Sequence, residues 1–173
     1  YYGTFGKQFL SNSDVGALLS NPREFRVSRP DNQAFAKGRY FHQSLLEPEK
    51  LKDWQFVDSY SRNTNVYKQA LAESGKEVLM LSKEKEEMDA LVEIMTSNFE
   101  LYEQMYLNGN KFEVPGVKQF NGVWWKGKAD IISNDCIIDL KTTSNILDFR
   151  YSAKKYNYDS QCYIYQNIFG KPL

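Results

Sequence analysis

Cysteine is almost missing from this chain, with only Cys136 and Cys162 among 173 residues. Two thiols cannot build a four-thiolate zinc or iron-sulfur centre, and both read as buried apolar residues in a protein with an intracellular setting. Histidine is scarcer still, because His42 stands alone. A single histidine outside any nucleophile-elbow setting leaves no Ser-His-Asp hydrolase to argue for. Net charge is also absent, since 22 Lys and Arg offset 22 Asp and Glu. Without a global field, any polyanion must be met by a local basic patch or a metal. No apolar run approaches the roughly 18 residues of a membrane span, so no membrane association is expected. No charged segment followed by an apolar one marks a secretory signal. Internal repeats and low-complexity tracts are lacking as well.

What remains is 42% hydrophobic and 25% charged, which excludes a disordered or collagenous chain. A length of 173 residues suits one domain, 1–173, with its own core. Ser11 to Asp14 supplies capping side chains for a short helix that runs to about Pro22. Phe35, Gly38, His42, Leu45 and Leu46 keep helical spacing over about 33–47, and Pro48 closes that helix. Thr64 caps a third helix, which Gly75 ends at a left-handed position. Val78 to Leu81 reads as a short strand. Ser82 then caps a long helix to Tyr106, whose stripe of Met88, Leu91, Val92, Met95, Phe99 and Tyr102 reads as core packing.

From Lys111 the pattern changes to strands over 111–116, 122–132 and 136–141. A helix within 144–156 follows, then a last one capped by Asp159 or Ser160 and running through Gln161, Tyr165 and Phe169. Helices on either side of a small sheet indicate an α/β or α+β layered domain.

The chemistry concentrates in residues 126–143. Alternation along a strand points Asp139 and Lys141 the same way, while Ile138 and Leu140 point into the opposite layer. A two-residue loop at Asn134-Asp135 sets Asp130 directly across from Asp139. Like charges facing each other destabilise a sheet unless a cation lies between them or one is neutralised, so the pattern asks for a metal. The plain alternative is a solvated surface hairpin. Against it stand the apolar runs Val123-Trp124-Trp125, Ile131-Ile132 and Ile137-Ile138, suited to a sheet buried on both faces, where bare charge is costly. Glu113 reads first as an edge-strand charge that discourages aggregation, with an outer-ligand role as the alternative. His42, on the apolar face of its helix, reads first as a core residue.

Taken in order, Gly38 with His42, Gly127 with Asp130, Asp139 with Lys141 and Thr142, and Gln161 with Tyr165 resemble the PD-(D/E)XK nuclease superfamily. The closest likeness is to its RecB-like and RecE-like exonucleases, including phage members. The resemblance spans residues 37–165 and implies a restriction-endonuclease-like core, a small mixed β-sheet flanked by helices. It implies a Mg²⁺- or Mn²⁺-dependent deoxyribonuclease acting at the ends of linear DNA in recombination, repair or replication, in the host cytoplasm if phage-encoded. Asp130, Asp139 and Lys141 would be catalytic. Asp130, Asp139, His42 and the Leu140 carbonyl would hold metal, Lys141 would activate the attacking water, and Gln161 and Tyr165 would contact DNA or brace Lys141.

Family members carry further strands and a helix after the last motif, so more sheet is expected beyond residue 173. A homo-oligomer or a recombination partner is compatible with the site. Lys126, Lys128, Arg150, Lys154 and Lys155 flank the motifs and could form a phosphate track, although a solvated face is the default reading. Two rival functions stay open. One is a catalytically silent DNA-binding module on the same scaffold, and the other is an endonuclease of the same superfamily.

Overall fold

The computed structural model describes residues 3–28 and 30–173. Seven α-helices are described, α1 (Asn12–Ser20), α2 (Gln33–Leu46), α3 (Asn65–Ser74), α4 (Ser82–Ser97), α5 (Phe99–Tyr106), α6 (Phe149–Lys155) and α7 (Tyr158–Phe169). The strands are β1 (Phe56–Val57), β2 (Met80–Leu81), β3 (Lys111–Phe120), β4 (Val123–Ile132) and β5 (Ile137–Ile138). Small sheets flanked by helices make the protein mixed α/β, as expected. The chain divides into two compact units, one formed by residues 1–28 with 107–173 and the other by 29–106. Among the described residues no helix is long and apolar enough to cross a membrane.

In the unit 29–106, β1 and β2 pair in parallel, Phe56 with Met80 and Val57 with Leu81, joined through α3. Val57, Tyr67, Leu79 and Leu81 form its core. Thr64 caps α3 by accepting from the Tyr67 amide at 3.2 Å, and Gly75 ends the helix at φ 66°, where a side chain would be strained. The Tyr67 hydroxyl accepts from the Leu79 amide and donates to the Leu79 carbonyl, so a buried polar group is fully used.

The expected cap at Ser82 lies one residue off. Leu81 occupies the capping position and Ser82 is already helical, because Glu84 accepts the Leu81 amide at 2.9 Å. The expected single helix to Tyr106 breaks at Asn98, whose side chain accepts from the Leu101 amide at 3.1 Å and starts α5. The expected core stripe is also corrected. Met88 is buried, but Leu91, Phe99 and Tyr102 are 43, 70 and 48% exposed. Helical spacing shows that one face is apolar and does not by itself supply a layer to cover it.

Glu84 is the polar node of this unit. It is buried, and it accepts from Arg62 at 2.9 and 2.5 Å and from Gln33. Burial alone would raise its carboxyl pKa. The bonds from Arg62 and the Leu81 amide outweigh that and hold it below its ordinary value of 4.5. A depressed carboxylate contributes stability above its ordinary value and loses it as pH falls below that value. Glu84→Gln is therefore expected to cost about 1–3 kcal/mol near neutrality, with the gap from the parent closing as melts are repeated down to about pH 3. An unchanged gap across that range would refute the linkage.

In the unit formed by the chain ends, β3, β4 and β5 make an antiparallel sheet in that order. Asn121 and Gly122 turn the β3–β4 hairpin with φ of 50° and 73°, both left-handed, which suits the right-handed twist of the strands they join. Phe120 pairs with Val123 and Lys111 with Ile132 at the two ends of that ladder. β5 is too short to cover all of β4. Leu10 takes part of the remaining edge, donating to the Trp124 carbonyl at 3.0 Å and accepting from the Lys126 amide at 2.8 Å. The outer face of β5 is met by Pro172, whose carbonyl accepts from the Ile137 amide at 2.7 Å.

α1 is capped at Ser11, where Asp14 Oδ2 accepts from the Ser11 amide at 2.8 Å and from its hydroxyl at 2.7 Å. α7 starts earlier than expected, at Tyr158, after Asn157 at φ 54°, so Asp159 lies inside its first turn. Ala129, Ile137, Ile164 and Tyr165 are the buried centre of this unit, with Val15, Trp125, Ile168 and Phe169 packed around them. The tip of the hairpin is not buried on both faces, since Val123 and Trp124 are exposed.

Candidate active site

The β4–β5 hairpin turns where the sequence predicts. The Ser133 amide donates to the Cys136 carbonyl at 2.9 Å across the two-residue loop Asn134-Asp135, and the Ser133 hydroxyl accepts the Cys136 amide at 3.0 Å. Ile132 then faces Ile137 and Ile131 faces Ile138. One further step of that register sets Asp130 opposite Asp139. The regular ladder stops there, so the strand expected to reach Lys141 ends at Ile138. The cause is Asp130 itself, whose Oδ2 takes the Leu140 amide at 2.8 Å, a donor that a continuing ladder would spend on backbone. A buried carboxylate thereby sits at the point where the two strands part.

On the other side of Asp130 stands Glu113. It lies between the pairs Phe112–Ile131 and Val114–Ala129, so the register puts it directly across from Asp130. A carboxylate oxygen of each lies within 4.8 Å of the other. Glu113 adopts φ 52°, a left-handed conformation costing about 1–3 kcal/mol for a residue with a side chain. Its side chain is only 11% exposed and pairs with Lys128. It is thus not the solvated edge charge that the sequence suggests first, although β3 does form an edge of this sheet. Backbone strain and two facing carboxylates are stabilised by a cation, or by neutralising one of them.

Asp139 and Lys141, two apart, form an ion pair whose side chains are 10 and 26% exposed. Gln161 on α7 is buried and donates to Asp139 Oδ1 at 2.8 Å. The Lys141 ammonium also lies 5.3 Å from the centre of the Tyr158 ring. Tyr165, one turn beyond Gln161, is buried and donates to the Lys128 carbonyl at 2.9 Å. Burial pushes its hydroxyl up to about 12, with the charge of Asp139 adding to the shift. Burial likewise raises the Cys162 thiol, again with Asp139 contributing.

In this geometry Gln161 and Tyr165 both make contacts within the protein. Their polar ends are spent inside the protein, so Gln161 braces the partner of Lys141 and Tyr165 braces the strand that carries Asp130. Gly127 permits this, because a Cβ there would sit 2.9 Å from Tyr165 Cε1. Its neighbour across the ladder, Gly116, meets Ile168 and Phe169 in the same way.

Oxygen atoms of two carboxylates no more than 4.8 Å apart can both reach one hard divalent ion, whose bonds to oxygen are about 2.0–2.6 Å. The donor set of Glu113 and Asp130 therefore fits Mg²⁺ or Mn²⁺ in kind. Leu140 is buried with its amide turned to Asp130. His42 belongs to the other unit, on α2, where it is half-buried and edge-on to the Phe41 ring.

This arrangement belongs to the restriction-endonuclease-like class, and comparison with solved structures agrees. A crystal structure of a candidate exonuclease from Eubacterium rectale superposes with a TM-score of 0.62 at 19% identity, over 100% of this chain and 68% of that one. At the level of sequence, residues 8–172 match the family described as a PDDEXK-like domain of unknown function (DUF3799). The chain belongs to that family, and through it to the PD-(D/E)XK nuclease superfamily. No protein of curated function matches it significantly.

Proposed function

We propose that the chain is a metal-dependent deoxyribonuclease that hydrolyses phosphodiester bonds at the ends of linear DNA. The observation that carries this reading is the facing pair Glu113–Asp130, with the Leu140 amide tying Asp130 to the strand that bears Asp139 and Lys141. Glu113 and Asp130 would hold the ion, joined by Asp139 and the Leu140 carbonyl as the family resemblance implies. The same resemblance adds His42.

When bound, the ion supplies neutralisation of the phosphate and acidification of a water. The other tasks fall to the protein. Lys141, held by Asp139 and backed by Tyr158, presents its ammonium to charge growing on the phosphate and orients the attacking water. Gln161 fixes Asp139 so that this ammonium keeps one position. Such positioning matters, since a misplacement of about 1 Å can cost roughly a hundredfold in rate.

The structural likeness to a candidate exonuclease favours end-dependent attack over internal cutting. The family match runs through both compact units, which supports treating 1–173 as one nuclease domain. Processing of DNA ends in recombination, repair or replication, inside the cell, is the corresponding setting. The test is digestion of end-labelled linear duplex, single strands and closed circles with Mg²⁺, Mn²⁺ or EDTA. Release of nucleotides from linear DNA, with circles untouched and EDTA blocking release, is the expected result. Equal cutting of circles would make the protein an endonuclease. Tight binding without any turnover would make it a silent module.

A further inference from the structure

Beyond Lys141 the surface carries a run of aromatic and basic side chains that, Tyr158 apart, the site described above does not use. Residues 149–158 hold Phe149, Tyr151, Tyr156 and Tyr158 together with Arg150, Lys154 and Lys155, and no acid. Asp148, which accepts from Asn145, and exposed Asp159 flank this run. Tyr151 and Tyr156 are out in solvent, 64 and 54% exposed, while Tyr158 is half-buried.

They are also ordered among themselves. Tyr156 stacks on Tyr158 with centroids 6.1 Å apart and planes 27° apart, because left-handed Asn157 folds the chain between them. The Lys155 ammonium lies 5.4 Å from the Tyr156 ring centre, and the Arg150 guanidinium 5.2 Å from that of Tyr151. A continuous ladder therefore leads outward from Lys141 through Tyr158 and Tyr156 to Lys155.

Exposed rings interleaved with cations match one ligand chemistry closely. Unpaired nucleotides stack their bases on aromatic faces while their phosphates meet the basic groups, and such stacking tolerates any sequence. Duplex DNA hides its base faces and offers phosphates, sugars and base edges instead. We propose that the Tyr158–Tyr156 ladder, with Arg150 and Tyr151 on the preceding helix α6, is a platform for unpaired nucleotides adjoining the phosphate at Lys141. The substrate end is then frayed or single-stranded where it meets the protein. This inference rests on the nuclease reading for its direction, but the platform itself is a binding surface that is measured without catalysis.

The experiment is fluorescence anisotropy in EDTA with a labelled oligo-dT strand and with a blunt duplex, comparing the parent with Tyr156→Ala, Tyr151→Ala and Tyr156→Phe. Because Tyr156 and Tyr151 are exposed, the variants should keep the parent's thermal melt, which is recorded alongside. Tyr156→Ala should weaken single-strand binding about tenfold or more and duplex binding less than about twofold, while Tyr156→Phe keeps the ring and the affinity. Equal losses on both DNAs, no loss at all, or no single-strand affinity in the parent would overturn the platform. Hydrolysis with Mn²⁺ is scored separately. Turnover without a Tyr156 effect sinks the platform alone, whereas a Tyr156-dependent single-strand affinity without turnover upholds the platform and sinks the nuclease reading.

Discussion

Asp130→Asn is expected to lower metal-dependent hydrolysis by on the order of 10³-fold while leaving the metal-free protein at least as stable as its parent. The two halves of that result have one cause. Asparagine keeps an oxygen for the Leu140 amide, so the parting of β4 and β5 survives the change. It removes the negative charge facing Glu113, which is worth about 0.2–1 kcal/mol between opposed residues of a sheet. In a domain of this size that is a rise in melting temperature of about 1–3 °C. Added Mn²⁺ should reverse the order, since an ion present at 100 times its dissociation constant stabilises its binder by about 2.7 kcal/mol and the variant has lost a ligand. Asp139→Asn should fail in hydrolysis too, by releasing Lys141. Melts with and without Mn²⁺, run beside the nuclease assay, check all three statements. A variant at position 130 that cuts normally, or that gains as much from Mn²⁺ as the parent, would end the metal-site argument.

Gly127→Val should be nearly as damaging without touching any ionisable group. Its side chain would occupy the space of Tyr165 Cε1, 2.9 Å away, and of Ile168 Cδ1, 3.2 Å away. α7 must shift outward, at a cost of about 1–3 kcal/mol for overpacking. Gln161 rides on the same helix, so its bond to Asp139 lengthens and Lys141 loses its fixed partner. A displacement of about 1 Å at that point predicts roughly a hundredfold loss of turnover with the protein still folded. Pairing the change with Ile168→Ala should recover part of both losses, because neighbours that share one space are not additive. Full activity in Gly127→Val would show that α7 does not position the site.

The β4–β5 hairpin was legible because turn chemistry and alternation agree there. Asn134-Asp135 sets the loop, and the loop sets which residues face each other. The same logic, applied to Asn121-Gly122, pairs Glu113 with Asp130 once the first strand is carried past Gly116 to Phe120. What no pattern could show is the left-handed backbone of Glu113, since a strained residue contradicts its local preference and persists only because both flanking pairs hold it. The end of β5 at Ile138 was hidden for a similar reason. A side chain there outcompetes the ladder for one amide, and propensity does not register such a contest. Helical spacing sets Gln161 and Tyr165 on one face of α7, but spacing alone does not tell whether that face meets solvent or a sheet. The stripe on α4 failed on the same ground.

One unit is assembled from segments on either side of residues 29–106, and this imposes an order of events during synthesis. Residues 29–106 can settle first, because their core of Val57, Tyr67, Leu79 and Leu81 lies wholly within that stretch. Leu10 must wait for Trp124 and Lys126, and Asn12 for Ser160, to which it is hydrogen-bonded. Closing such distant pairings is slow, and their apolar partners stay uncovered meanwhile. The braces that α7 lends to Asp139 and to the Lys128 carbonyl therefore come last, after both strands that carry the candidate site.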